Sequence, residues 1–164
     1  SRRQRQMCIR DRSYLPQPEK RLFSLSDLLH NLEELLQTNF QENNISFTLR
    51  CSPEPMMTEG DEKQLSQVFL NLLKNAMQAL EGHPHGELSL QAEQDEYIVI
   101  DITDNGPGIP PEIMDKVFIP FFTTKSEGTG IGLSLCKEII RRHEGHLAIK
   151  ESRAGKTVFH IELP

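Results

Sequence analysis

Leu28, Leu29, Leu32, Leu35 and Leu36 recur at three- and four-residue intervals, the period of one helix face, with Ser24 or Ser26 available as N-cap and Asp27 in the first turn. This spacing predicts a helix to about Glu42. Ile45, Phe47 and Leu49 then alternate with polar neighbours as in a half-buried strand that Pro53 and Pro55 end, and the pattern also admits a short strand near Met56 and Met57. Leu65, Val68, Phe69, Leu72, Leu73, Ala76 and Leu80 form a second helical stripe over 61–81, opened by Asp61 and Gln64 at capping-box spacing and closed by Gly82, Pro84 and Gly86. Glu87–Ala92 and Tyr97–Ile102 alternate, which predicts two adjacent strands. A short helical piece is expected around Glu112–Val117. A long helix is expected from about Gly130 to His143, with Ile131, Leu135, Ile139 and Ile140 on one face and Gly145 as the C′ residue. His146–Ile149 and Thr157–Leu163 read as closing strands paired across a turn at Ala154 and Gly155. Interspersed strands and helices of this kind bury their faces most simply as an α/β two-layer sandwich, a sheet covered by helices on one face.

Residues 1–23 carry no such period. Arg2, Arg3, Arg5, Arg10, Arg12, Lys20 and Arg21, with Pro16 and Pro18, mark a linker or arm, and Met7–Arg12 does not fit the pattern of the later residues, so the domain is expected over 24–164. One domain is all that 164 residues hold. The 24 acidic against 18 basic residues leave a net charge of -6, which argues against a surface built to track nucleic-acid phosphates. Cys8, Cys51 and Cys136 are odd in number and lack a CxxC pair, which argues against a disulfide framework and a zinc site and suits a reducing compartment. Apolar runs such as Tyr97–Ile100 fall far short of the roughly 20 residues of a membrane span. No apolar h-region succeeds the basic Ser1–Gln6, so a soluble chain without a secretory signal is expected.

Three polar clusters interrupt these patterns. Asn71 and Asn75 lie one turn apart on the second helix, and on a wheel of about 100° per residue Asn75 falls about 20° from Val68, at the margin of the apolar stripe. An amide oxygen is a neutral hard ligand suited to Mg²⁺, which shares its shell with waters and substrate phosphates; a pair that merely faces water is the competing reading. Asp104-Asn105-Gly106-Pro107-Gly108-Ile109 comes directly after a strand. There the aspartate can accept from an exocyclic amine and the glycines let backbone approach a planar ring, though a plain turn is also compatible. Gly128-Thr129-Gly130-Ile131-Gly132-Leu133 opens the last long helix, where freed N–H groups and the helix dipole suit a phosphate. Its GxGxG spacing is not the Rossmann GxGxxG, and Gly155-Lys156-Thr157 is not a Walker A motif because Lys150 stands where its first glycine is required. Between the last two clusters, Phe118, Phe121 and Phe122 crowd a proline-broken run that leads to Lys125, which reads either as a mobile segment docked on the core or as a plain core-anchoring loop.

Taken in order, Asn71-x-x-x-Asn75-Ala76, Asp104–Ile109, Pro120–Lys125 and Gly128–Ser134 resemble the N, G1, F and G2 boxes of sensor histidine kinases. The match runs over roughly 24–164, to His143-Glu144-Gly145 and the terminal Ile161–Pro164. The resemblance implies the Bergerat ATP-binding fold, a mixed, mainly antiparallel sheet with three main helices on one face and ATP under a flexible lid. It implies that Asn75 binds Mg²⁺ with Asn71 near the phosphates and Lys125 meeting them, these three forming the catalytic set. Asp104 would accept from the adenine amine, with Gly106, Gly108 and Ile109 lining the adenine pocket. Thr124, Lys125, Gly128, Thr129, Gly130, Ile131, Gly132 and Leu133 would hold the nucleotide from the lid and its end. Ile131 replaces a frequent leucine, and Gln78 a lysine or arginine found in some members.

Hydrolytic members of the superfamily carry a glutamate at the place of Asn71, and an amide cannot serve as general base. Phosphoryl transfer to a protein is therefore expected, with positioning and charge neutralisation carrying catalysis. Of His30, His83, His85, His143, His146 and His160, only His143 precedes an acidic residue, and it reads as a helix C-terminal residue favoured by the dipole. His143-Glu144-Gly145-His146 is one residue short of HExxH. The phosphoacceptor histidine is accordingly expected on an upstream dimerisation domain of the same kinase, with a response regulator downstream. The fragment is expected to be monomeric, the full protein a homodimer, and the location cytoplasmic, as a cytosolic protein or the cytosolic part of a membrane-bound sensor. A serine kinase of the anti-sigma-factor type and a non-catalytic nucleotide-gated module are the alternatives.

Overall fold

The computed structural model describes residues 15–122 and 132–164. In chain order the elements are β1 (Arg21–Ser24), α1 (Leu25–Glu42), β2 (Ile45–Ser52), β3 (Met57–Gly60), α2 (Glu62–Ala79), β4 (Gly86–Gln94), β5 (Ile98–Asp104), α3 (Gly132–Arg142), β6 (His146–Arg153) and β7 (Lys156–Leu163). A single 3-10 turn, Pro111–Ile113, stands where the short helical piece was expected.

Five strands form the main sheet in the order β2-β4-β5-β7-β6. β2 runs parallel to β4, which forces the crossover through α2, and the other three pairings are antiparallel. The alternation along β4, β5 and β7 sends Leu88, Leu90, Ala92, Ile98, Ile100, Ile102, Phe159, Ile161 and Leu163 to one buried face. Leu29 and Leu32 of α1, Leu65, Val68, Phe69 and Leu72 of α2, and Ile139 and Ile140 of α3 belong to the same core. Each such side chain contributes about 1.5–3 kcal/mol of transfer free energy. Leu35, counted in the first helical stripe, is instead 64% exposed, because it sits too far round the helix to reach the sheet.

Helix starts obey the expected chemistry with two adjustments. Ser24 is the N-cap of α1, its Oγ accepting from the Asp27 N–H at 3.2 Å, whereas Ser26 is buried and accepts from the Met56 N–H at 3.0 Å. Asp61 caps α2 by accepting from the Gln64 N–H at 3.1 Å. The reciprocal half of a capping box does not form. Gln64 Nε2 donates to the Pro16 carbonyl at 2.9 Å, and the Asp61 N–H donates to His143 Nε2 at 2.9 Å.

Residues read from sequence as the end of an arm are joined to the domain. β1 pairs antiparallel with β3, Arg21 opposite Gly60, and the Glu19 N–H donates to Asp61 Oδ2 at 3.0 Å. Arg142 reaches the Leu15 carbonyl. A four-residue ribbon whose Leu22 faces outward carries too little alternation to be seen from sequence.

The end of α3 also departs from expectation. Glu144, at φ 61°, takes the left-handed position, and the Gly145 N–H bonds to the Ile140 carbonyl while the Glu144 N–H bonds to that of Arg141, a Schellman motif. Gly145 is required for space: a Cβ there would lie 2.4 Å from the Glu162 carbonyl oxygen. His143 is buried, and its Nε2 accepts a hydrogen bond, so the ring proton sits on Nδ1 and points at the Ile139 carbonyl. It is a neutral bridge from α3 to the start of α2, and its expected attraction to the helix dipole as a cation is not what holds it. Among the described residues no helix is long and apolar enough to cross a membrane.

Candidate functional site

The inward face of β5 runs Ile98, Ile100, Ile102 and then Asp104. Alternation thus carries a carboxylate to the helix-covered side, where it is 4% exposed. Burial pushes its pKa up, and the Gly106 N–H donating to Oδ1 at 2.9 Å offsets part of that shift. A buried carboxylate with so little local compensation is costly, which makes the position a functional-site candidate. Directly opposite on β7 lies Thr157, also buried, a polar neighbour that the sequence does not reveal because a lone strand threonine carries no signal.

The loop after β5 is fixed from two sides. Asn105 accepts from the Glu87 N–H at 2.7 Å and donates to the His85 carbonyl at 2.9 Å, tying the loop to the start of β4. The Gly155 N–H donates to the Gly106 carbonyl at 2.8 Å, and the Ile109 N–H to Ser152 Oγ at 2.8 Å, tying it to the β6–β7 turn. A Cβ on Gly106 would meet Asp104 Oδ1 at 2.9 Å and the Ala79 carbonyl oxygen at 3.1 Å. On Gly108, at φ +85°, it would meet the Arg153 carbonyl oxygen at 2.6 Å. The missing Cβ atoms were expected to make room for a ring; the space beside both glycines is filled by the protein itself.

On α2, Asn71 and Asn75 are both half-buried, so neither simply faces water. Leu72 and Ala76 beside them are buried, which fixes the rotation of the helix and presents the two amides along one edge of its buried stripe. Asn71 looks toward α3: the buried Cys136 thiol there is pushed up to about 12 by burial, and the Asn71 side chain pulls against that shift.

Past the 3-10 turn, Phe118 packs edge-on against Phe159 with centroids 6.4 Å apart, and the Lys137 ammonium of α3 lies 4.4 Å from its ring centroid. Phe121 is 71% exposed and Phe122 half-buried, so the three phenylalanines divide between an anchor and an outward face. Thr124, Lys125, Gly128, Thr129, Gly130 and Ile131 lie outside the described residues. Gly132 opens α3, exposed, and among the described residues no atom lies within 4 Å of where its Cβ would be. Leu133, the next residue, packs against the core. Asp104, the 105–109 loop, the asparagine edge of α2 and the first turn of α3 thus carry a buried acceptor, two neutral amides and a helix N-terminus, groups fit for an amine, a hydrated divalent cation and phosphate respectively.

Residues 60–164 match the family described as Histidine kinase-, DNA gyrase B-, and HSP90-like ATPase. Sporulation kinase C of Bacillus subtilis is 38% identical over 144 residues, 85% of this chain and 33% of its own length, so the chain spans about a third of that relative. The solved catalytic domain of histidine kinase ThkA superposes with a TM-score of 0.81 at 32% identity, covering 89% of this chain and 95% of that one. A structure of ThkA in complex with the response regulator protein TrrA matches with a TM-score of 0.77 at 28% identity, over 99% of this chain and 47% of that chain.

Proposed function

The chain belongs to the family of histidine kinase-, DNA gyrase B- and HSP90-like ATPases as the ATP-binding catalytic domain of a sensor histidine kinase, and from that premise we propose that it donates the γ-phosphoryl of Mg-ATP to a histidine on a dimerisation domain outside this chain. The buried Asp104 at the end of β5 carries the reading. A carboxylate in that place recovers its burial cost when an exocyclic amine donates to it, and its internal bond uses Oδ1. Adenine carries such an amine on the edge that guanine presents as a carbonyl, so ATP is selected over GTP.

Asn75 would hold the Mg²⁺ through its amide oxygen and Asn71 orient the phosphates, with the backbone at Gly132 and the candidate residues Thr124, Lys125, Gly128, Thr129, Gly130 and Ile131 as the rest of the phosphate-binding set. The metal supplies charge neutralisation on the phosphate oxygens. Asn71 and Asn75 bring no base, which favours transfer to a protein nucleophile over attack by water. Gly106, Gly108 and Ile109 shape the adenine pocket by holding the loop in place. A response regulator receives the phosphoryl group in turn, as the complex of the related ThkA suggests.

The test is to mix the domain with Mg-ATP and a separately supplied dimerisation domain bearing the acceptor. Acid-labile, base-stable phosphohistidine on that partner is the expected product. Bound ATP without it would overturn the kinase reading, and phosphoserine on a partner would replace it with the serine-kinase one. Asn75→Ala is expected to lower Mg-ATP affinity by at least about tenfold with the fold intact; unchanged affinity sinks the metal assignment.

A further inference from the structure

Away from the nucleotide site, α1 and the edge strand β2 form a hairpin closed by the stacked rings of Phe40 and Phe47, 4.6 Å apart. Its open end brings three residues of different elements together: His30 on α1, Cys51 near the end of β2, and Glu54 in the connection to β3. One ligand atom from each lies within 4.8 Å of the others. His30 Nε2 already contacts Glu54 Oε1 at 2.6 Å, and Cys51, half-buried on the helix-facing side of β2, is a free thiol. On the other side of the imidazole, Nδ1 faces Glu33 Oε1 at 3.8 Å.

We propose that His30, Cys51 and Glu54 form a zinc site in which Nε2, Sγ and a Glu54 carboxylate oxygen are the protein ligands, water completes a tetrahedron, and Glu33 orients His30 through Nδ1. The donors are the nitrogen, sulfur and oxygen set that Zn²⁺ prefers. Zinc bonds of about 2.0–2.3 Å set neighbouring ligand atoms roughly 3.3–3.8 Å apart. The cluster meets this by parting His30 from Glu54 and closing on Cys51, movements within reach of the half-exposed His30 and Glu54 side chains. On binding, the Cys51 thiol proton leaves to solvent, and a thiolate and a carboxylate balance the metal charge. A histidine that ligates through one nitrogen and offers the other N–H to a carboxylate is the usual arrangement around a bound metal. The cysteine count argued against zinc because it looks for paired cysteines; here the fold supplies the second and third ligands from elements 21 and 3 residues away from Cys51. Bound zinc would clamp the start of α1 to the end of β2.

Cobalt(II) titration of the domain, without nucleotide, tests this, with zinc competition against a chromogenic chelator as the second step. The expected result is one equivalent bound with a thiolate-to-cobalt charge-transfer band, displaced by zinc. Cys51→Ser should lose the band, His30→Ala and Glu54→Gln should weaken zinc by at least about tenfold, and Glu33→Gln by a few-fold. Circular dichroism of each variant without metal checks that the fold is kept. A band surviving in Cys51→Ser, or zinc affinity indifferent to His30→Ala and Glu54→Gln in folded variants, overturns the site, as does the absence of saturable binding.

Discussion

Gly108 and Gly132 stand at two ends of the same proposed pocket and are glycines for opposite reasons. Gly108 has φ +85°, and a Cβ would press on the Arg153 carbonyl. Gly132 has no described atom within 4 Å of its Cβ position, and it begins a helix, where alanine is a better residue. The first is demanded by the fold. The second is tolerated by the fold at some cost in helix propensity, and a backbone bared at a helix N-terminus is what a phosphate uses. A glycine motif therefore has no single meaning, and the filled or open Cβ direction separates a scaffold glycine from a candidate binding glycine.

The largest effect is expected at the filled end. Gly108→Ala combines a left-handed backbone, costing about 1–2 kcal/mol for a residue with a Cβ, with displacement of the β6–β7 turn, costing about another 1–3 kcal/mol. Chemical denaturation should show a loss of roughly 2–5 kcal/mol, the sum of those two costs. A variant as stable as the parent would mean that the loop is not held by Arg153, and the contrast with Gly132 would vanish.

That contrast was only half legible in the sequence. The period of α2 placed Asn71 and Asn75 on the correct element, because a local repeat reports which side of an element faces the core, whereas Asp104, expected directly after a strand ending at Ile102, is the last residue of β5. Arg153 is the contact that explains Gly108, yet it lies 45 residues further along the chain, and no local pattern announces such a meeting. Thr157 opposite Asp104, the neutral bridge of His143 to Asp61 and the pairing of β1 with β3 were hidden for the same reason. Leu35 shows the converse error, an apolar residue at a plausible spacing that stays exposed. Where the chain turns on itself, identity alone says little, and the glycine boxes are such places.

Asp104→Asn sharpens the comparison at the position that joins scaffold to site. Asparagine can still accept from the Gly106 N–H, so the loop should hold. The native carboxyl has a raised pKa, so as pH rises past the ordinary value of 3.8 the unfolded chain ionises first and the native state loses stability. Asparagine cannot ionise and escapes that loss. Near neutral pH the nucleotide-free variant should melt at the same temperature as the parent or higher, while ATP affinity falls about tenfold and the preference over GTP shrinks. A melting temperature well below the parent would assign Asp104 to the scaffold along with Gly108, and unchanged selectivity would remove it from the adenine pocket.

The smallest effect on stability, and the one that decides the open end, is Gly132→Ala. With no described atom near the Cβ position and a helix that alanine favours, the fold should change by no more than about 0.5 kcal/mol, in either direction. Affinity should nonetheless drop a few-fold, since a methyl group at the first turn of α3 crowds the approach of phosphate oxygens to the backbone N–H groups. Adenosine, which lacks the phosphates, should bind both proteins alike. If ATP and adenosine weaken equally, the residue shapes the pocket as a whole; if neither weakens, the open direction at Gly132 faces solvent and the phosphates are held by the segment before it. Only a loss confined to the phosphate-bearing ligand makes Gly132 the functional counterpart of the structural Gly108.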